Sequence, residues 1–282
     1  MKKIFHFTLS AATILMLATG CQKMDTPALG NYPTDAAAPG GPLNFYAAFD
    51  GTSADPLRNA VDSVRANFAS DNPLTSVDGV SGKAIKGENQ KFIKYQKPND
   101  WAIAAKSLTV SFWFKRNGQT KNNTGGNGPE YIYSFKSSNG HWSGASGFIL
   151  LEGDNANCAI KYMIVDNTNG DKWFEWAGGT GIPGILNNQW HHIALSYNAS
   201  TSGMTLYVDG VANPIVSVWG GHGDIKMDDS KISEMRIGAG PGSGLNTDDW
   251  LSSTWKGEID QFRMYSVALN ATEVNELFVK KK

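Results

Sequence analysis

Gln189-Trp-His-His-Ile-Ala-Leu-Ser-Tyr197 decides how this chain is read, because polar and apolar residues alternate along it at the two-residue period of a strand. Met204-Thr-Leu-Tyr-Val208 repeats that period and runs into Asp209-Gly210, a dipeptide suited to the positive φ of a tight hairpin turn. Two antiparallel strands are predicted here. Trp255-Lys-Gly-Glu-Ile-Asp-Gln-Phe-Arg-Met-Tyr265 is another strand pattern, and the chain after it turns helical. Asn270 is a good N-cap, and Glu273 three residues later completes a capping box. Val274, Leu277 and Phe278 then share one helix face that should dock on the strands.

Working outward, strand-like segments recur between Gly, Asn, Asp and Pro punctuation. They cover residues 43–50, 91–96, 107–115, 130–136, 147–152, 158–165, 171–177, 189–197, 204–208, 214–218, 234–239 and 255–265. A dozen short strands imply two packed antiparallel sheets, an all-β sandwich with a short C-terminal helix. In Leu108-Thr-Val-Ser-Phe-Trp-Phe114 the even-numbered positions form the core face. Trp113 falls on the other face and needs cover. The long loops at 117–129, 137–146 and 220–230 are where binding residues are expected.

The first twenty residues are not part of this fold. Lys2 and Lys3 precede an uncharged apolar run from Ile4 to Leu17, which has the form of an export signal and is too short to span a bilayer. Leu17-Ala-Thr-Gly-Cys21 resembles a lipobox, so Cys21 is the expected lipidation site and acyl chains the expected membrane anchor. Residues 21–42, rich in Pro, Ala and Gly, read as a flexible tether whose portion from Thr26 to Pro42 reaches on the order of 50 Å when extended. The globular domain is then 43–282. Without Lys2 and Lys3 the chain holds 23 basic and 26 acidic residues, a net charge of −3. No basic patch points to nucleic acid. Cys158 is the one other cysteine, so no disulfide is expected, and its apolar surroundings read as core packing.

Several phrases together resemble the laminin G-like, concanavalin A-like family: Phe49-Asp-Gly51, Gly82-Lys-Ala-Ile85, Ser107–Lys115, Trp190-His-His-Ile-Ala194, Leu206-Tyr-Val-Asp-Gly210, Arg236-Ile-Gly238 and Gly257-Glu-Ile-Asp260. Residues 121–184 depart from the pattern. The resemblance implies a concanavalin A-like jelly roll, a fold that carries lectins, enzymes and adhesive modules alike. It also implies a structural calcium ion held by Asp50, Asp62 and Asp260, since calcium takes carboxylate and carbonyl oxygens. The usual glycine-rich segment after the second of these is replaced by Ser63-Val-Arg-Ala-Asn67. Gln22-Lys-Met-Asp25 resembles the short export signals of Bacteroidetes surface lipoproteins.

Catalytic patterns are incomplete. Same-fold glycosidases carry Glu-x-Asp-x-x-Glu or Glu-x-Asp-x-Glu along one strand, and Glu258-Ile-Asp-Gln-Phe-Arg263 begins this way and lacks the second glutamate. Glu152 and Glu175 are carboxylates that nothing marks out. His191 and His192 point to opposite faces and cannot share a zinc ion. The chain is therefore not expected to be an enzyme.

Nine tryptophans remain as the positive signal. Indole rings stack on the apolar faces of sugars while neighbouring polar groups bond the hydroxyls. Trp142, Trp173, Trp176, Trp219 with His222, and Trp250 are the candidate ligand-binding residues, whereas Trp113, Trp190 and Trp255 read as scaffold. The leading expectation is a non-catalytic glycan-binding lipoprotein on the outer-membrane surface, facing the cell exterior. An adhesive module with a protein partner and a glycoside hydrolase of the same fold are the alternatives.

Overall fold

The computed structural model describes residues 41–50, 73–98, 100–142, 144–168, 170–245 and 249–281. The expected export signal, Cys21, almost all of the tether and Asp62 lie outside the described residues. Fourteen strands are described: β1 (Leu43–Ala47), β2 (Thr75–Asp78), β3 (Lys83–Lys86), β4 (Ile93–Tyr95), β5 (Leu108–Asn117), β6 (Glu130–Ser137), β7 (Ala145–Gly153), β8 (Cys158–Asp166), β9 (Gly170–Trp176), β10 (Asn187–Asn198), β11 (Gly203–Val208), β12 (Val211–Val218), β13 (Ile232–Ile237) and β14 (Glu258–Tyr265). Helix α1 (Trp101–Ala104) precedes β5, and α2 (Ala271–Lys280) ends the chain.

The strands form two antiparallel sheets. One has the order β12-β11-β10-β5-β14-β3-β2, with β1 also pairing with β14; the other has the order β4-β13-β6-β7-β8-β9. Strand parity decides what lies between them. Leu108, Val110, Phe112 and Phe114 of β5 face Ile149, Leu151, Ile160, Tyr162, Phe174 and Trp176 of the second sheet in one buried core. Cys158 belongs to that core, and burial pushes its thiol up to about 12.

Trp113 points away from this core and is covered by α2. Its ring stacks on Phe278 with centroids 5.5 Å apart, and the ammonium of Lys281 lies 5.7 Å from the ring centre. The helix is held where the sequence places it, for the Asn270 side chain accepts from the Thr272 and Glu273 amides while Glu273 accepts from the Asn270 amide. Val274 is fully buried against Ala194 and Tyr207, and Leu277 packs beside Leu43, Tyr46 and Tyr265. Beneath the helix, His192 pairs in register with Trp113, and its Nε2 lies 2.8 Å from the Ser111 hydroxyl.

Two strands and a helical turn depart from the sequence reading. β2 and β3 are four residues each, and β2 is mostly exposed, so neither carries an alternation long enough to read. α1 exists to bury Trp101, whose ring packs against Phe135 at 5.4 Å. On the opposite edge, β12 exposes Val211, Ile215, Val216 and Val218, and the indole N–H of Trp176 donates to the Ile215 carbonyl at 2.8 Å.

Candidate functional site

The outer face of β7, β8 and β9 carries the site. The registers Phe148↔Met163, Leu150↔Lys161, Met163↔Trp173 and Lys161↔Glu175 put these side chains on one surface, together with Glu152 and Val165. Phe148, Leu150, Met163 and Val165 make a small apolar floor separate from the main core. Three tryptophans stand on it. Trp142 and Trp173 meet edge-to-face at 5.2 Å and 86°, and Trp250 lies 6.0 Å from the first and 6.1 Å from the second. They line a concavity of about 470 Å³ with Pro129, Leu150, Glu152, Lys161 and Glu175. A volume of this order is that of a small-ligand pocket.

Each tryptophan arrives by a different route. Trp173 comes from strand parity alone. Trp250 is carried by a 3₁₀ turn, Trp250–Ser252, whose preceding Asp249 accepts from the Leu251 amide at 3.1 Å, and Leu251 anchors the turn in the floor. Trp142 sits in the loop between β6 and β7 with a φ of +41°, a left-handed conformation that costs a bulky residue roughly 1–3 kcal/mol. The loop around it imposes this. The Asn139 amide bonds the Ala145 carbonyl and the Ser146 hydroxyl, its oxygen accepts from the His141 amide, and the Gly144 and Ala145 amides both donate to the His141 carbonyl. Strain held by such scaffolding, in a residue whose ring lines a cleft, marks a position that the fold maintains for its ring.

Polar groups border the indoles. Lys161 extends between two carboxylates, 3.2 Å from Glu152 and 3.8 Å from Glu175. At the rim, Pro129 is fixed by its neighbour Glu130, a fully buried carboxylate that accepts from Arg116 and from the Lys121 and Lys256 amides. Flat apolar faces and hydrogen-bonding heads thus meet in one open recess.

The other candidates are placed elsewhere. Trp176 lies three residues from Trp173, an odd offset on a strand, so it faces the main core and is fully buried. It cannot meet a ligand. Trp219 stacks flat on His222 at 3.5 Å, and the His222 side chain is only 2 % exposed, with Nε2 3.2 Å from Asp166. The pair packs at the core rim and is not joined to the cleft; burial of the His222 side chain corrects the expectation for that residue, while Trp219 stays half-buried apart from the three clustered indoles. Leu150 and Pro129 were not foreseen, and nothing short of strand register would have singled them out. Glu152 and Glu175 were noticed only as unplaced carboxylates; the register is what brings them to one lysine.

Of the three acidic residues expected at a calcium site, two come together around one turn. Asp50 accepts from the Lys83 amide at 2.8 Å, and Asp260 accepts from the Val80 amide at 2.8 Å and the Ser81 amide at 3.4 Å. The turn is glycine-built of necessity, since a Cβ on Gly82 would stand 1.9 Å from the Asp50 carboxylate and one on Gly79 2.4 Å from that of Asp260. Burial, together with the nearby Asp50 charge, raises the Asp260 carboxyl to about 7 against the pull of its amide donors. Partial burial also raises Asp50, opposed by the Lys83 amide and by Arg263. Asp260 Oδ1 is buried and has no hydrogen-bond partner among the described residues. A bare, buried carboxylate oxygen beside a second carboxylate fits an oxygen-seeking cation. No cluster of three metal-binding side chains occurs among the described residues.

The sequence profile of the concanavalin A-like lectin/glucanases superfamily, in its laminin G-like form, matches residues 89–275. The chain belongs to that superfamily. No curated protein matches it in sequence. Among solved structures, the binding domain of paraclostridial mosquitocidal protein 1 aligns with a TM-score of 0.58 and 20 % identity over 85 % of this chain and 52 % of its own. The binding domain of botulinum neurotoxin DC in complex with SialylT aligns at 0.56 and 14 % over 86 % and 52 %. Domain 4 of AbnA, an extracellular arabinanase from Geobacillus stearothermophilus, in complex with arabinotriose, aligns at 0.53 and 20 % over 83 % and 97 %. The chain thus spans about half the length of the two toxin domains. These likenesses establish the shared lectin-like fold, and the aligned structures are mostly binding domains.

Within the superfamily, the glycosidase pattern along β14 is where this chain differs. β14 bulges between Asp260 and Arg263, with Gln261 at a φ of +48°, so side-chain alternation breaks just where the second carboxylate of the motif would fall. Phe262 turns into the core. Glu258 is ion-paired with Lys115 at 2.5 Å, and Asp260 is fully buried under the glycine turn.

Proposed function

We propose that the protein binds glycans without transforming them, through the cleft of Trp142, Trp173 and Trp250. The observation that carries this reading is the convergence of three indoles, delivered by a strand, a strained loop and a 3₁₀ turn, beside Glu152, Lys161 and Glu175. Perpendicular rings offer a sugar two apolar walls at once, and the ion-paired side chains offer acceptors and a donor to its hydroxyls. An open recess of this kind gives modest single-site affinity because it stays wet. The presence of arabinotriose and SialylT on two proteins of the same fold supports the ligand class. Calcium is part of the proposal: Asp260 and Asp50 would hold it, with Asp62 as a third ligand, and it would stiffen the glycine turn rather than touch the sugar. Lipidation at Cys21, with the tether to residue 42, would place the domain at the outer-membrane surface of the cell, where a glycan-capturing module meets its ligand.

Affinity electrophoresis against a polysaccharide panel tests the reading. Retention should occur without release of new reducing ends, and Trp173→Ala should abolish it. Product formation would instead support the hydrolase alternative, and absence of retention on every glycan would leave an adhesive surface for a protein partner as the better account.

A further inference from the structure

The tryptophan cleft is not the only depression on this sheet face. A second, of about 190 Å³, is lined by Asn139, His141, Val165, Asn167, Asp228 and Lys231, among others. Val165 and Lys161 project from the same side of β8, so the two depressions lie about 13 Å apart along the strand at roughly 3.3 Å per residue. Between them runs the apolar floor of Phe148 and Met163, with Trp142 packed upon it. His141 and Trp142 are adjacent in the chain and line different depressions, a divergence set by the left-handed backbone at Trp142. The loop is therefore a saddle between two halves of one face.

Charge on this face is predominantly acidic. Glu152 and Glu175 outnumber Lys161 in the first depression; in the second Asp228 is matched by Lys231, and Asp166 is buried beneath it against His222. Neither lysine is free to receive an anion, since Lys161 is bracketed by its two glutamates and Lys231 lies 3.5 Å from Asp228. A uronic, sialic or sulfated sugar would meet uncompensated like charge at the first depression and, among the described residues, no free cation at the second.

We infer that the face binds an internal stretch of a linear, uncharged polysaccharide, which crosses the Trp142 saddle and occupies both depressions. This rests on the glycan reading above and extends it to the ligand's charge and length. Neither depression is a closed pocket that would demand a chain end. A disaccharide can fill only one of them; a longer oligomer reaches the second without loss of the first, and the linked contacts then act together.

Calorimetric titration of the protein with linear arabino-, xylo-, manno- and gluco-oligosaccharides of two to eight residues, alongside oligogalacturonides of matched length, tests it. At least one neutral series should gain tenfold or more in affinity between the dimer and the hexamer, with the oligogalacturonides at least tenfold weaker. The double variant Asn167→Ala, Lys231→Ala should erase the gain with length. A length-independent affinity, an equal or stronger response to oligogalacturonides, or a gain that survives in the double variant overturns the inference while leaving a glycan site at the tryptophans. Failure of every sugar to bind, or binding indifferent to Trp173→Ala, removes the glycan reading and this inference with it.

Discussion

Acidifying the protein should unlatch the C-terminal helix through His192. That imidazole is fully buried between Trp113 and Phe278, and burial, aided by the Arg263 charge, pushes it down to about 3. The geometry gives the same answer. An imidazolium needs acceptors at both nitrogens, and while Nε2 has the Ser111 hydroxyl, Nδ1 faces no partner among the described residues. The folded value lies below the unfolded one of about 6.5, so the unfolded chain binds the extra proton between the two. Stability is thus whole above pH 6.5 and lost as pH falls toward 3. Linkage puts the loss at about 2 kcal/mol between pH 7.5 and pH 5.0, growing to about 5 kcal/mol below pH 3. Urea unfolding followed by tryptophan fluorescence at pH 7.5 and 5.0, with chelator present, should show wild type losing that 2 kcal/mol more than His192→Gln does. Asp260 acts with the opposite sign, since its raised carboxyl favours the fold as pH drops from 7 toward 4, but it is common to both proteins and cancels. Equal losses in the two would refute the assignment to His192.

Three further outcomes are expected. Trp176→Ala should cost about 3–5 kcal/mol of stability, as truncation of a buried ring does, whereas Trp173→Ala should cost clearly less, since its ring is only partly buried, and weaken glycan binding by tenfold or more; paired calorimetry and titration separate them. Asn270→Ala should lower stability by about 1 kcal/mol through loss of the cap on α2, measurable by urea denaturation. Calcium at about a hundred times its dissociation constant should add about 2.7 kcal/mol, visible as a rise in melting temperature that EDTA reverses and that Asp260→Asn lacks.

The sandwich was legible because alternation in β5 and β10 is long and keeps one parity. β2 and β3 escaped since four half-polar residues at a sheet edge have no face to declare. The site was half legible. Trp142 and Trp250 stand out as indoles beside polar loop residues and Trp173 as one of several large rings on a strand, but their meeting depends on the registers of β7, β8 and β9, which residue types do not encode. Trp176 was open to a better reading, because three positions from Trp173 on a strand is the opposite face. The Gln261 bulge was hidden, since a residue with positive φ inside an otherwise regular strand leaves no mark in the composition. His222 looked like a ligand-binding side chain and is a buried partner of Asp166, a distinction that only packing can make.

The indole bond from Trp176 to β12 reaches beyond core packing. β9 and β12 are the outermost strands of their sheets on one side, and β12 presents four bare aliphatic side chains, the profile of a template for templated strand addition. Pro214 withholds an amide from any incoming chain, and the Ile215 carbonyl is already engaged by Trp176. A side chain from the opposite layer thus takes up the carbonyl position beside Pro214 and blunts the β12 edge against pairing with another strand.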